Sequence, residues 1–328
     1  MRSAGPSVRV RDSSGLYQRI HRVPGSPMSS VRPIRSLLFI PGDRAHWMPK
    51  ADRAGADAVV FDLEGSLSHA SKESGRREVR EVLDRADEFR AAILVRINDV
   101  RSPEWTADLD VIVGAGLLAV MLPQVAGVDD VKRLDDALSA IESDRGFPEG
   151  SVLIDPLMET PMALLTAYEI AISTDRIAYM GAGISRNGDI ARTMGYRWSE
   201  EGTETLHFRS KVLLDVRAAG VENPLSGMWG DVADLDGLRR LAHQTAGLGY
   251  EGMMVIHPTH VPVVNEIFSP SAGEIAEWQE TLRVMEAATE EGRGVTTIAG
   301  QVVDEAHVLT ARQQLRRAAR WGLFSGPK

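Results

Sequence analysis

Eight short β-rich runs punctuate the chain, at residues 36–41, 58–63, 92–97, 118–123, 151–157, 177–181, 224–229 and 253–256. They are apolar at nearly every position, which suits parallel strands covered on both faces rather than a sheet with one wet side. Between them, segments 73–89, 128–141, 161–172, 204–219 and 235–247 repeat apolar residues at three- and four-residue spacing, with charges on the other faces. Eight strands alternating with helices predict an α/β fold, a (β/α)8 TIM barrel. The competing architecture is an open doubly wound sheet, but no G-x-G-x-x-G follows the first run. The full 328 residues suit one barrel of about 250 residues with extensions. Residues 34–270 are expected to form it. Residues 1–33 hold Arg2, Arg9, Arg11, Arg19, Arg22 and Arg32 against a single acid, Asp12, and read as a flexible tail. Such an Arg-rich, acid-poor start resembles a transit peptide, but its helical amphipathy is weak, which favours a simple extension. Residues 271–328 read as a helix (271–292), a β-branched linker (294–303) and a second helix (305–319), a C-terminal helical extension that packs on the barrel or on a neighbouring subunit.

A formal net charge of −9 argues against nucleic acid or an anionic membrane as partner, since phosphate binding draws on clustered Lys and Arg. No apolar run reaches the roughly 18 residues needed to span a bilayer. With no cysteine, thiolate metal sites and cysteine nucleophiles are excluded, and a reducing cytoplasm is the expected setting. Any metal must be held by oxygen or imidazole. The expected partner is a small molecule.

Barrel enzymes carry their chemistry on the loops that follow the strands. Asp62 and Glu64 end the second run, Arg96 and Asn98 the third, Gln124 follows the fourth and Glu159 the fifth, Asp189 follows the sixth, and His257 ends the eighth. A few hard oxygen ligands fit Mg2+, with Mn2+ as a possible substitute, ions that keep several waters and accept substrate oxygens. Glu159 and Asp189 are the candidate ligands, although each also stands where an acid can cap the next helix. Arg96 could pair with a substrate carboxylate or a developing enolate beside such an ion. Asp62 and Glu64 share one side of an extended chain, placed to support the metal through its waters or to neutralise Arg96. His257 is either a base or a hydrogen-bonded structural histidine, and Asp304 reads as a helix cap.

RSLLFIPGDR at 35–44, GADAVVFDLE at 55–64, Lys72 with Arg76, VRIN at 95–98, ETP at 159–161, DIA at 189–191 with Gly195, RAAG at 217–220, IHP at 256–258 and GQVVD at 300–304 follow one another along the chain. Taken in that order, these strings resemble the citrate lyase beta subunit-like proteins of the HpcH/HpaI aldolase/citrate lyase family. The resemblance implies that Glu159 and Asp189 bind Mg2+ and that Arg35, Pro41, Gly42 and Arg96 contact substrate. It also implies that Arg96, Asp62, Glu64 and Asp304 are catalytic, with Asp304 reaching the site of an adjacent subunit in a trimer or hexamer. The implied reaction is cleavage of a β-hydroxyacyl-CoA, such as malyl-CoA or citramalyl-CoA, into a keto acid and a short acyl-CoA. An acyl-carrier thioester could replace CoA. Thioester hydrolysis by the same site, or a non-catalytic acyl-CoA-binding barrel, are the alternatives. Three positions depart from the family pattern: Gly65 stands where an acid is usual, and Gln124 and Met253 stand where lysines are usual.

Overall fold

The computed structural model describes residues 31–324, so most of the expected tail lies outside the described residues. Eight parallel strands form the barrel wall: β1 (Ser36–Pro41), β2 (Ala58–Asp62), β3 (Ala92–Arg96), β4 (Leu117–Leu122), β5 (Leu153–Met158), β6 (Gly181–Ala182), β7 (Leu225–Met228) and β8 (Gly252–Val255). Their order in the sheet is β6-β5-β4-β3-β2-β1-β8-β7. A bridge between Tyr179 and Asn223 and the bond from Ser226 Oγ to the Ala182 carbonyl (2.9 Å) draw β6 against β7. The wall is thereby nearly closed. All five residues of β2 are buried, as expected of a strand packed on both faces. Leu37, Val60, Leu94, Met121, Leu157 and Tyr179 fill the barrel interior, while Val59, Phe61, Ile93, Val95 and Ile154 meet the surrounding helices.

β6 is shorter and later than the run at 177–181, and Pro156 supplies a reason. The Ile154 N–H donates to the Arg176 carbonyl at 3.0 Å. Alternate residues of a strand face the same neighbour, so residue 156 should donate next toward β6, but a proline has no N–H. Regular pairing resumes only at Leu157 with Gly181 and Met158 with Ala182. Gly181 is demanded by the seam with β7: a Cβ there would lie 1.6 Å from the Leu225 carbonyl oxygen.

Several helices used below follow the strands: α1 (Lys72–Leu83) after β2, α2 (Asp189–Met194) after β6 and α3 (Leu235–Leu248) after β7. The expected helix at 161–172 is broken into Pro161–Leu165 and Ala167–Ala171, and a helix at Trp105–Ile112 appears that periodicity did not single out.

The extension consists of α4 (Ala272–Glu290) and α5 (Glu305–Arg320). The expected linker between them is instead an antiparallel hairpin, Thr296–Ile298 with Gln301–Val303. Its turn uses Ala299 (φ 48°) and Gly300 (φ 83°), the left-handed pair typical of tight hairpins. Met285, Val303 and Val308 form its small core. The end of α5 is tied to the barrel by Arg317 with Glu251 (3.2 Å) and by Trp321, whose ring stacks against both Arg35 and Arg317 at 5.3 Å. No helix among the described residues is long and apolar enough to cross a membrane.

Candidate active site

Arg96 is the last residue of β3 and lies beside Asp62, the last of β2, in the sheet register. Asp62 accepts from Arg96 Nε at 2.8 Å and Nη2 at 2.7 Å, and also from the backbone N–H groups of Glu64 and Ser66, each at 2.9 Å. Burial alone would push this carboxyl up, but the hydrogen bonds and charge of Arg96 outweigh it and hold Asp62 below its usual range. Glu64 stands 3.3 Å from Arg96 Nη1. The guanidinium also lies over the Phe39 ring of β1 at 5.3 Å, so a planar, permanently charged group is fixed in orientation. Gly65 fits closely under it, since a Cβ there would approach Arg96 Nη2 to 3.1 Å.

Glu159 follows β5, and Thr160 makes the helix cap: its hydroxyl accepts from Ala163 N at 3.1 Å. Glu159 is therefore free of capping duty. Burial pushes its carboxyl up to about 7, opposed by the Gln124 N–H and by Arg96 and reinforced by the charges of Asp189 and Glu64. Glu64 is likewise raised by burial, opposed by Arg96 and reinforced by Asp62 and Asp189. Arg96 with Glu64, and Glu159 with Asp189 through Gln124, all stand at the carboxyl ends of the strands. Asp189 opens α2 and pairs with Arg192. Between Glu159 and Asp189 lies the Gln124 amide, which donates to Glu159 Oε1 at 3.1 Å and to Asp189 Oδ2 at 2.8 Å.

Among the described residues no cluster of three or more His, Cys, Asp or Glu side chains is arranged to hold a metal. Two carboxylates joined through one amide do converge. That donor set fits Mg2+, which takes one or two protein carboxylates and fills its remaining positions with water and substrate oxygens. It does not fit a closed structural zinc site.

Other expected residues fall elsewhere. Pro41 and Gly42 lie at the same end of the barrel, with Gly42 packed against Leu63 and the Asp62 carbonyl. Arg35 does not: it precedes β1 at the opposite end, where it grips Asp57 (2.8 and 2.7 Å) and Ser269 (2.7 Å) and stacks on Trp321. Its expected contact with substrate in its own barrel is therefore corrected to a structural role. Asp304 caps α5, accepting from Ala306 N and bonding His307 Nδ1 at 2.7 Å. It is exposed, and its bonds stay within the extension. Lys72 is turned onto the Leu63 carbonyl at 2.9 Å, and Arg76 onto Asp108 at 2.7 Å. His257 bonds Thr259, and Met253 is fully buried in the core. Sequence reading passed over Asp155, a buried carboxyl on β5 pushed up to about 7 by burial.

The HpcH/HpaI aldolase/citrate lyase family profile matches residues 35–258. The chain belongs to this family. Over 296 residues it is 32% identical to a (3S)-malyl-CoA thioesterase of Cereibacter sphaeroides, covering 90% of this chain and 98% of that one. It is also 32% identical over 312 residues to an L-malyl-CoA/beta-methylmalyl-CoA lyase of the same organism, covering 89% and 96%. Among solved structures, protein CitE of Mycobacterium tuberculosis in complex with magnesium, acetoacetate and coenzyme A superposes with a TM-score of 0.67 at 28% identity, over 88% of this chain and all of that one. In the family member described here the strand-end carboxylates Glu159 and Asp189 are bridged by Gln124, and Arg96 is held by Asp62.

Proposed function

We propose that this chain is a Mg2+-dependent carbon–carbon lyase that cleaves a β-hydroxyacyl-CoA of the malyl or citramalyl type into a keto acid and a short acyl-CoA. The observation that carries this reading is the convergence of Glu159 and Asp189, bridged by Gln124, beside the fixed guanidinium of Arg96. Family membership and the names of the relatives support it. Glu159 and Asp189 would hold the ion, which when bound polarises the substrate's α-hydroxy acid or keto acid oxygens. Mn2+ could take the same oxygens.

In the cleavage direction an ionised carboxylate of the site would take the proton of the substrate hydroxyl as the carbon–carbon bond breaks, leaving a keto acid and the enolate of the shorter thioester. Arg96 would stabilise that enolate oxygen, its orientation fixed by Asp62, Glu64 and Phe39. A carboxylate must then deliver a proton to the enolate carbon. Asp304 would do so from an adjacent subunit of a trimer or hexamer, since it is exposed and α5 is anchored by its far end. Mixing Asp304→Ala with Glu159→Ala subunits should then restore part of the activity that each homo-oligomer lacks.

Incubating the protein with Mg2+ and a panel of such thioesters tests the central claim. Keto acid should appear without free thiol, and Glu159→Ala should abolish both metal binding and turnover. No keto acid from any member, together with equal metal binding by wild type and Glu159→Ala, would overturn the reading. A second activity, thioester hydrolysis, is supported by the relative named (3S)-malyl-CoA thioesterase. Free thiol released without matching keto acid would select it.

A further inference from the structure

Gln124 is one of two non-glycine residues with positive φ among the described residues, at 51°, and the other sits in the hairpin turn. A residue with a Cβ avoids this conformation unless its surroundings impose it, and such residues gather at functional sites. The carbonyl of the turned residue has a side-chain partner. Arg101 Nη2 donates to the Gln124 carbonyl at 2.6 Å, and Arg101 is itself locked on Asp99 by bonds of 2.8 and 2.7 Å. The turned backbone aims the Gln124 N–H at Glu159 Oε1, 2.9 Å away, and sends the side-chain amide to Glu159 Oε1 and Asp189 Oδ2.

Three donations thus fall on one oxygen of each carboxylate. Glu159 Oε2 is left clear of Gln124, and so is Asp189 Oδ1, whose partner is the largely exposed Arg192, a pairing of little strength in water. A ligand carboxylate with one oxygen pinned by a hydrogen bond presents the other in a fixed direction. Outer partners of this kind govern metal affinity without touching the metal.

We infer that Gln124 is a positioning residue that orients Glu159 and Asp189 together for a divalent cation, and that it acts as a hydrogen-bond donor rather than as a charge. This rests on the reading of those two carboxylates as ligands. It also gives the lost family lysine a specific replacement: what position 124 must supply is an N–H aimed at both acids, which an amide can provide.

Isothermal titration of the metal-free protein with Mg2+ tests this without any turnover. Gln124→Met keeps the shape and removes the side-chain donor, and its Mg2+ affinity should fall roughly 10- to 100-fold. Gln124→Lys restores a donor and should recover most of the loss, whereas Gln124→Glu, which cannot donate, should not. Arg101→Met, outside the carboxylate pair, should weaken binding in the same direction by releasing the Gln124 carbonyl, and it serves if the position-124 variants fold poorly. Equal or tighter binding by Gln124→Met or by Arg101→Met would overturn the inference. Failure of the wild type to bind Mg2+ would instead overturn the ligand reading beneath it.

Discussion

Asp155 lies inside the barrel on β5, opposite Met121 in the register and between Leu153 and Leu157 on the same face of the strand. It is 5% exposed, and burial alone raises its carboxyl from 3.8 to about 7. The unfolded chain releases this proton near 3.8, while the folded chain holds it to about 7. Between those values the native state binds more protons than the unfolded one, so stability falls as pH rises, and above about 7 the loss is complete. A rise of about three pH units at about 1.36 kcal/mol each amounts to about 4 kcal/mol, an order-of-magnitude figure. Asp155→Asn removes the titration while keeping the shape. Urea unfolding of the two proteins, followed by tryptophan fluorescence from pH 4 to pH 8, should show their difference shifting in favour of the variant by about 4 kcal/mol. The slope should be close to 1.4 kcal/mol per pH unit before levelling off above about pH 7. Asp155→Leu should show the same pH trend, since it also removes the proton. A difference independent of pH would mean that Asp155 is not held neutral in the barrel, and the argument from burial would be wrong.

Three further outcomes follow from contacts described above. Gly181→Ala places a Cβ against the Leu225 carbonyl oxygen, which should cost about 3 kcal/mol or more, seen as a fall in melting temperature of roughly 6–12 °C. Arg96→Lys loses the paired bonds to Asp62 and should lower kcat by about 10²- to 10³-fold with smaller change in KM, as expected for a group that stabilises a transition-state oxyanion. Arg35→Met breaks the grip on Asp57 and Ser269, and denaturation should report about 2 kcal/mol lost. Steady-state kinetics of that variant should show an unchanged KM for the CoA ester, and a raised KM would return Arg35 to the substrate.

The fold was legible because a strand buried on both faces must be apolar throughout, and seven of the eight runs needed only small adjustment at their ends. The eighth, β6, shows where that signal fails: Ile177 to Gly181 is as apolar as its neighbours, but pairing depends on an N–H that Pro156 on the adjacent strand lacks. The site was legible in the same partial way. Strand ends fix which residues reach the open face, so Asp62, Arg96, Glu159 and Asp189 could be picked out, and Arg35 could have been set aside because it precedes its strand. What strand position does not encode is how neighbouring loops meet. Gln124 looked like a lost charge when compared with a family pattern, because a string of letters shows the missing ammonium and hides the backbone turn whose carbonyl Arg101 bonds. In three dimensions the turn is the informative part: it aims the backbone N–H and the side-chain amide at two acids held 35 and 65 residues away in the chain. An amide at this position, although it carries no charge, thus supplies directional hydrogen bonds to both Glu159 and Asp189.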